Sequence, residues 1–285
     1  MTGDRMLEIL QFYNRAGFLP EVYFTKKGDD LSAVRERMHS IPYLVCSGGD
    51  GMVNMMENAL LKHGERAVFG YIPAGTTNDF AHSIGIPSEL AGQLAASVSH
   101  ALRSLDGGLL NDRYFMYVAG FGLFTDVSYK TPQNMKNAFG YLAYILQGIK
   151  SLSELRPLHL HVTVDEETIE GDFILGMVTN SLSVAGMKTL AQTGTALDDG
   201  LLELILIRNP ANLVELSELA SAVLVSNIES NLIVYRQGKH FGFTGEKLSW
   251  TADGEFGGAY EASVIDVVPG RIALRVPETG ISKST

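Results

Sequence analysis

The stretch Tyr43-Leu44-Val45-Cys46-Ser47-Gly48-Gly49-Asp50-Gly51-Met52-Val53-Asn54 constrains the fold of this chain more than any other. An apolar run that breaks into Ser-Gly-Gly-Asp-Gly before an amphipathic stretch predicts a buried strand, a tight turn and a helix. Glycines at 48, 49 and 51 open backbone conformations closed to other residues and leave no side chain between main chain and ligand. The N–H groups of such a turn, with the positive end of the following helix dipole, suit a phosphate. A bare glycine turn also serves as a plain strand-to-helix connection, so the neighbouring segments decide.

Those neighbours alternate. Met6, Ile9, Leu10 and Tyr13 recur at helical spacing before Gly17, Glu21 to Thr25 reads as a strand, and Asp29 or Asp30 can cap a helix running towards Met38. A strand at Val68 to Ile72 and a helix over Pro87 to Leu105 continue the pattern. The alternation implies an α/β, doubly wound parallel sheet covered on both faces, with ligands at the carboxyl ends of its strands. A second turn, Pro73-Ala74-Gly75-Thr76-Thr77-Asn78-Asp79-Phe80, follows the next strand. Its small and hydroxylated residues can line a nucleotide pocket, with Asn78 and Asp79 pinning the loop to its own backbone.

After Leu105 the texture changes. Short β-branched or aromatic runs at Tyr114 to Ala119, Leu158 to Val164, Phe173 to Thr179, Leu201 to Ile207, Leu232 to Tyr235, Leu248 to Thr251 and Ala262 to Val268 favour an antiparallel β-sandwich. Helices are expected at Asn137 to Leu152 and Leu213 to Val225. The reading is two domains, 1–105 and 106–285, with the last residues free to return to the first. In the first of those helices Phe139, Leu142, Ile145, Leu146 and Ile149 form an apolar stripe, read as packing on the sandwich, with lipid contact as the alternative.

Composition sets the class. A chain of 285 residues with 46% hydrophobic and 19% charged content is an ordinary well-packed protein. The single cysteine, Cys46, excludes an internal disulfide and is expected to pack as a small hydrophobe. No leader or membrane-spanning run is legible, so the chain is expected in the cytoplasm. A net charge of −10 argues against nucleic-acid binding and against adhesion to anionic lipid by charge alone.

Two acidic loops stand out, Ala196-Leu197-Asp198-Asp199-Gly200-Leu201 and Thr251-Ala252-Asp253-Gly254-Glu255-Phe256. Asp-Gly is a common hairpin turn. An Asp beside turn carbonyls is also a hard-oxygen site of the kind Mg²⁺ accepts, and a Glu two residues past an Asp can face the same cleft. The seven histidines show no ligand spacing such as HExxH, and His159 and His161 read as part of a solvated strand face rather than a zinc site.

With these loops in order, the chain resembles the bacterial diacylglycerol kinase and sphingosine kinase-like lipid kinases over essentially its whole length. The family's glycine motif corresponds to Gly48 through Asn54, its second nucleotide loop to Pro73 through Ala81, its metal loop to Leu197 through Leu201 and its catalytic loop to Asp253-Gly254-Glu255. Gly140-Tyr141-Leu142-Ala143-Tyr144 resembles a family helix that follows a lysine, here Lys136. The resemblance implies a nucleotide domain, a β-sandwich, an active site between them, and Mg²⁺-dependent phosphorylation of a lipid hydroxyl by ATP. By that likeness Thr25, Gly48, Gly49, Asp50, Gly51, Met52, Val53, Asn54 and Thr76 hold the nucleotide. The Asp199 carboxylate and the carbonyls of Ala196 and Leu201 resemble a structural Mg²⁺ position. Glu255 is the implied base, with Asp253 and Asp50 holding a catalytic Mg²⁺ or sharing the proton work.

The implied partners are ATP and a lipid met by peripheral contact at the inner face of a membrane, without nucleic acid; a homodimer is an assembly the reading admits. The chain also departs from the pattern. Members usually begin with a strand and an Asn-Pro phosphate loop, whereas this sequence opens at the following helix, so the first strand is expected to be missing and to be encoded in frame upstream. Met52 stands where Thr is common, Met55 where Glu follows the Asn, and His82 where Arg is frequent. Two other readings therefore stay open, a soluble-acceptor kinase of NAD-kinase type and a catalytically weakened nucleotide- or lipid-binding protein.

Overall fold

The computed structural model describes residues 3–26, 31–37, 40–41, 43–62, 67–75, 78, 80–81, 84–123, 155–180, 197–224 and 229–278. They fall into two units, Met1–Arg103 with Ala273–Thr285, and Ser104–Ile272.

The first unit carries helix α1 (Gly3–Arg15), the short helix α2 (Ser32–Arg37), strand β1 (Val45–Gly48), helix α3 (Asp50–Leu61), strand β2 (Ala67–Pro73) and helix α4 (Leu90–Ser97). β1 and β2 pair in parallel, Cys46 opposite Tyr71 and Gly48 opposite Pro73, so both strands end at one edge. Gly70 and Ile72 share a face of β2. A Cβ on Gly70 would fall 2.6 Å from the Ser97 carbonyl oxygen, which lets α4 lie directly on the strand backbone. Ile72 packs with Ile9 and Tyr13 of α1 and Leu94 of α4, so two residues of the α1 stripe are buried while Met6 and Leu10 are half-buried. Arg5 Nη2 donates to the Pro73 carbonyl at 3.0 Å and to Gln93 Oε1 at 3.3 Å, fixing the end of β2 from which the second turn leaves. Cys46 is buried, and burial pushes its thiol pKa up, as suits a small hydrophobe.

Two expectations fail here. Glu21 to Thr25 forms no strand, and Val22, Tyr23 and Phe24 are exposed. A strand needs a neighbour to complete its hydrogen bonds, and the sheet order of the described residues ends at β1. The helix expected to reach Leu105 stops at Ser97, and strand β3 (Leu102–Leu110) begins soon after. The Ser99 and Ala101 carbonyls accept hydrogen bonds from Arg275 Nη1 (2.6 Å) and the Val276 N–H (3.0 Å), so the returning end of the chain takes the groups a longer helix would use.

In the second unit β3 is followed by β4 (Arg113–Phe115), β5 (Val118–Gly122), β6 (Leu158–Val164), β7 (Glu167–Thr179), β8 (Leu202–Arg208), helix α5 (Leu213–Leu224), β9 (Ile233–Gly238), β10 (His240–Ala252) and β11 (Glu255–Arg275). The registered pairs are antiparallel. β5 and β6 lie end to end between the long strands β7 and β10, with β8 and β9 beyond β7 and β11 beyond β10. Residues from β3 through β11 meet in one core, where Phe121, Phe243 and Trp250 pack edge to face and Trp250 Nε1 donates to Ser263 Oγ at 2.8 Å. α5 lays Leu216, Leu219, Ala220 and Val223 against Met177, Ile205 and Ile207 on β7 and β8. The unit is thus an extensive antiparallel sheet around a shared core. The run Tyr114 to Ala119, expected as one strand, breaks at Met116 and Tyr117. The apolar stripe from Phe139 to Ile149, with Lys136, lies outside the described residues. Among the described residues no helix is long and apolar enough to cross a membrane.

Candidate functional site

The glycine turn leaves β1 and enters α3 through Gly49, whose φ of −90° and ψ of −173° are extended and open to any residue. Gly48 and Gly75 likewise lie outside the left-handed region, and Gly51 sits within α3. Unusual dihedrals therefore do not explain the glycines, contrary to the sequence argument. Close approach does. A Cβ on Gly75 would stand 2.6 Å from Gly49 Cα, and one on Gly49 would stand 3.3 Å from Gly75 Cα. The two turns thus meet main chain to main chain at the ends of β1 and β2. The Ala74 N–H donates to the Gly48 carbonyl at 2.8 Å, and Tyr71 OH donates to the same oxygen at 3.1 Å. Burial, then the charge of Asp50, holds the Tyr71 phenol well above its ordinary pKa, so it stays a donor.

Asn78 has φ +50° and clasps Gly75 from both sides, accepting its N–H at 2.9 Å and donating to its carbonyl at 3.0 Å. The expected pinning of this loop holds for Asn78, while Thr76 and Asp79 lie outside the described residues. No side chain of Gly49 caps the start of α3, and the Met52 N–H donates to the Gly49 carbonyl at 2.9 Å. Asp50 opens the helix, Val53 and Asn54 are buried within it, and the Met52 side chain occupies the space a Cβ on Gly48 would need. Any part played by Val53 in ligand binding would thus run through its main chain. Thr25 is half-buried in the irregular segment after α1.

Asp253 and Gly254 form the turn between β10 and β11, with φ +48° and +84° and Ala252 paired to Glu255. Two consecutive positive φ values in a two-residue loop are the type I′ hairpin that Asp-Gly favours. The Asp253 carboxylate, 5% exposed, accepts the N–H groups of Met116 (2.8 Å), Tyr117 (3.1 Å) and Val118 (3.0 Å). The Asp253 N–H in turn donates to the Val118 carbonyl at 2.8 Å. This explains the break between β4 and β5. The carboxylate read from the sequence as a metal or proton site has both oxygens engaged with main chain, whereas Glu255 stands exposed beside it. Replacing Asp253 with alanine should lower the unfolding free energy by about 3 kcal/mol, since several charge-assisted bonds to buried N–H groups are lost together. Urea unfolding would measure it, and a change below about 1 kcal/mol would remove this anchoring role.

The other acidic loop is anchored by a residue of β3 that stands at the domain boundary read from the sequence. Asp106 is 2% exposed; its Oδ2 accepts the Gly200 N–H at 2.6 Å and its Oδ1 the Gly270 N–H at 2.8 Å. Its own N–H donates to the Leu197 carbonyl, and Asn180 Nδ2 donates to the carbonyls of Asp106 and Leu197. Burial raises the Asp106 pKa, the two N–H bonds oppose this, and the charges of Asp199 and Asp198 add to the rise. Asp198 and Asp199 are exposed, the latter accepting the Leu201 N–H at 3.0 Å, and Asn180 Oδ1 is buried without a hydrogen-bond partner among the described residues. Crowded carboxylates and an all-oxygen donor set fit a hard cation. Ala196 lies outside the described residues. A signal for Asp106 did exist in the sequence, an acidic residue placed directly before Gly107-Gly108 in an apolar run.

Comparison with known proteins follows these two sets of loops. The diacylglycerol kinase catalytic domain model matches residues 2–110, and the YegS C-terminal NAD kinase beta sandwich-like domain model matches residues 120–276. The diacylglycerol kinase of Bacillus subtilis (strain 168) is 32% identical over 267 residues, which cover 92% of this chain and 88% of that protein. That of Staphylococcus carnosus (strain TM300) is 30% identical over 268 residues, covering 92% and 87%. A solved structure from Bacillus anthracis str. Sterne shares the fold, with a TM-score of 0.80 at 20% identity over 98% of this chain and 93% of that one. An NAD kinase from Archaeoglobus fulgidus, solved in complex with ATP, is more distant, with a TM-score of 0.54 at 13% identity over 98% and 92%.

Proposed function

Because the chain belongs to the diacylglycerol kinase family, we propose that it is a lipid kinase that moves the γ-phosphoryl group of ATP to the hydroxyl of diacylglycerol or a related lipid. The observation that carries this reading is the main-chain contact of Gly49 with Gly75, which joins two turns at the carboxyl ends of adjacent parallel strands. Such an edge, with a helix start behind it, binds phosphate through N–H groups. Gly48 through Asn54 hold the nucleotide phosphates, with Thr25 and Thr76 as further nucleotide contacts. The acceptor oxygen bonds to the γ-phosphorus as the bond to the β–γ bridging oxygen breaks; Glu255 takes the hydroxyl proton and ADP leaves.

Asp253 holds the hairpin that presents Glu255, and Phe256, half exposed next to it, offers an apolar neighbour suited to a lipid. Asp199 and the carbonyls of Leu201 and Ala196 would hold Mg²⁺. Bound there, the ion would offset the carboxylate charge crowded around Asp106 and keep the loop in shape. At the membrane the protein acts as a peripheral visitor.

The fold shared with an NAD kinase supports one other reading, a soluble acceptor. ADP release is the test, measured with ATP and Mg²⁺ against diacylglycerol in mixed micelles and against NAD. The expected result is ADP with an equal amount of phosphorylated lipid. ADP with NAD alone would move the chain to the soluble-acceptor reading, and ATP binding without turnover on a wide lipid panel would make it a nucleotide-binding protein.

A further inference from the structure

β6 presents His159 and His161 two residues apart, hence on one face. The register with β7 sets Glu170 opposite His161 and Asp172 opposite His159. His161 Nδ1 lies 3.5 Å from Glu170 Oε2, and His159 Nε2 lies 3.6 Å from Glu170 Oε1. One ligand atom from each of the three residues can be chosen so that all fall within 4.8 Å of one another. Neighbouring ligands of a tetrahedral zinc, at bond lengths of about 2.0–2.2 Å, are about 3.3–3.6 Å apart. Each imidazole thus stands at about that spacing from one oxygen of Glu170, and the full set, at up to 4.8 Å, closes to it by rotation of exposed side chains.

A second observation concerns orientation. His159 Nδ1 lies 2.7 Å from Asp172 Oδ1. With that nitrogen donating to the carboxylate, the lone pair of Nε2 is left on the side of Glu170, the arrangement that outer carboxylates impose on metal-binding imidazoles. The two imidazole rings stand edge to face, 5.7 Å apart at 87°, rather than stacked. The nearby Arg208 reaches the Glu170 main-chain carbonyl at 3.5 Å and lies over the Phe173 ring at 5.2 Å, so its bond is to the backbone. The cluster is exposed, so an ion can reach it from solvent and its side chains can rotate to close on it.

We infer that the β6–β7 hairpin binds one zinc-class divalent transition-metal ion through His159 Nε2, His161 Nδ1 and a Glu170 carboxylate oxygen, with Asp172 as a positioning residue. Two imidazoles and a carboxylate select Zn²⁺, Ni²⁺ or Cu²⁺ over Mg²⁺, which prefers oxygen alone. The ion clips two neighbouring strands of the second unit and is independent of the oxygen-only loop at Asp199. Binding to the folded form alone raises stability.

The test is calorimetric titration of Zn²⁺ into the full chain after EDTA treatment and dialysis, with Mg²⁺ in parallel and melting followed in both. One tight equivalent of Zn²⁺ and a melting point raised by several degrees are expected, with neither effect reproduced by equal Mg²⁺. His159→Gln and His161→Gln should each abolish the tight equivalent. Asp172→Asn should weaken it by about 10- to 100-fold. Co²⁺ should give the visible absorption of a four-coordinate site in the parent and not in His161→Gln. These side chains are exposed, so the variants should melt like the parent in EDTA. His240, paired with Asp266 at 2.6 Å on β10 and β11, is the control, and His240→Gln should keep the equivalent. Absence of tight binding, tight binding unchanged in the His159→Gln/His161→Gln double variant, or loss of it in His240→Gln alone would each overturn the assignment.

Discussion

Replacing Glu255 with glutamine should lower kcat by about 10²–10⁴-fold, the usual contribution of a positioned general base. ATP affinity should stay within a few-fold, because Glu255 belongs to the β10–β11 hairpin and the glycine turns belong to the other unit. Glutamine keeps the size of the side chain and most of its hydrogen bonding while removing the proton acceptor. The residue is exposed at a turn held by Asp253, so the substitution should leave unfolding nearly unchanged. Loss of turnover with intact ATP isotherms and an intact melting point would identify a group that acts on the reacting atoms. Nearly full turnover would move the base elsewhere, with Asp50 the next carboxylate to replace, since Asp253 is committed to three main-chain N–H groups.

The second large effect belongs to Gly75. Gly75→Ala puts a methyl group 2.6 Å from Gly49 Cα and 2.8 Å from Asn78 Oδ1, so the two turns must part. A displacement of about 1 Å at a phosphate-binding edge can cost about 10²-fold in rate, and kcat/KM should fall by that order. Gly49→Ala meets Gly75 at 3.3 Å, a distance that a shift of a few tenths of an ångström relieves, and should cost a few-fold. Gly49→Val adds branching at the same place and should fall between the two. ATP isotherms and kcat/KM for the three variants would rank them. A larger loss in Gly49→Ala than in Gly75→Ala would mean that ligand contact at Gly49, rather than the meeting of the turns, requires glycine there.

What was legible in the sequence was local. The strand, turn and helix around Gly48, the Asn78 clasp and the Asp253-Gly254 hairpin are each written in residues within a few positions of one another, and short-range geometry decides them. The illegible parts depend on distant partners. Asp253 bonds the Met116 N–H across 137 positions, and no side chain at 116–118 marks that a carboxylate will arrive. The helix expected through Leu105 yields to β3 because Arg275 and Val276 return to bond Ser99 and Ala101. Glu21 to Thr25 has the β-branched and aromatic content of a strand, yet the described sheet ends at β1. Asp106 looked like punctuation, and its function as an anchor for Gly200 and Gly270 exists only once three separate stretches of chain converge.

The end-to-end placement of β5 and β6 along β10 separates the two proposed sites on one strand. Thr244 stands opposite His161, and Ala252 pairs with Glu255 eight positions further on. At about 3.3 Å per residue that is on the order of 25 Å, about three Debye lengths at physiological ionic strength. A tether or luminescent lanthanide tag fixed to the β6–β7 hairpin would therefore neither shade the Glu255 carboxylate nor perturb its field, and the protein could be held on a surface by one end of the strand while its turnover is recorded at the other.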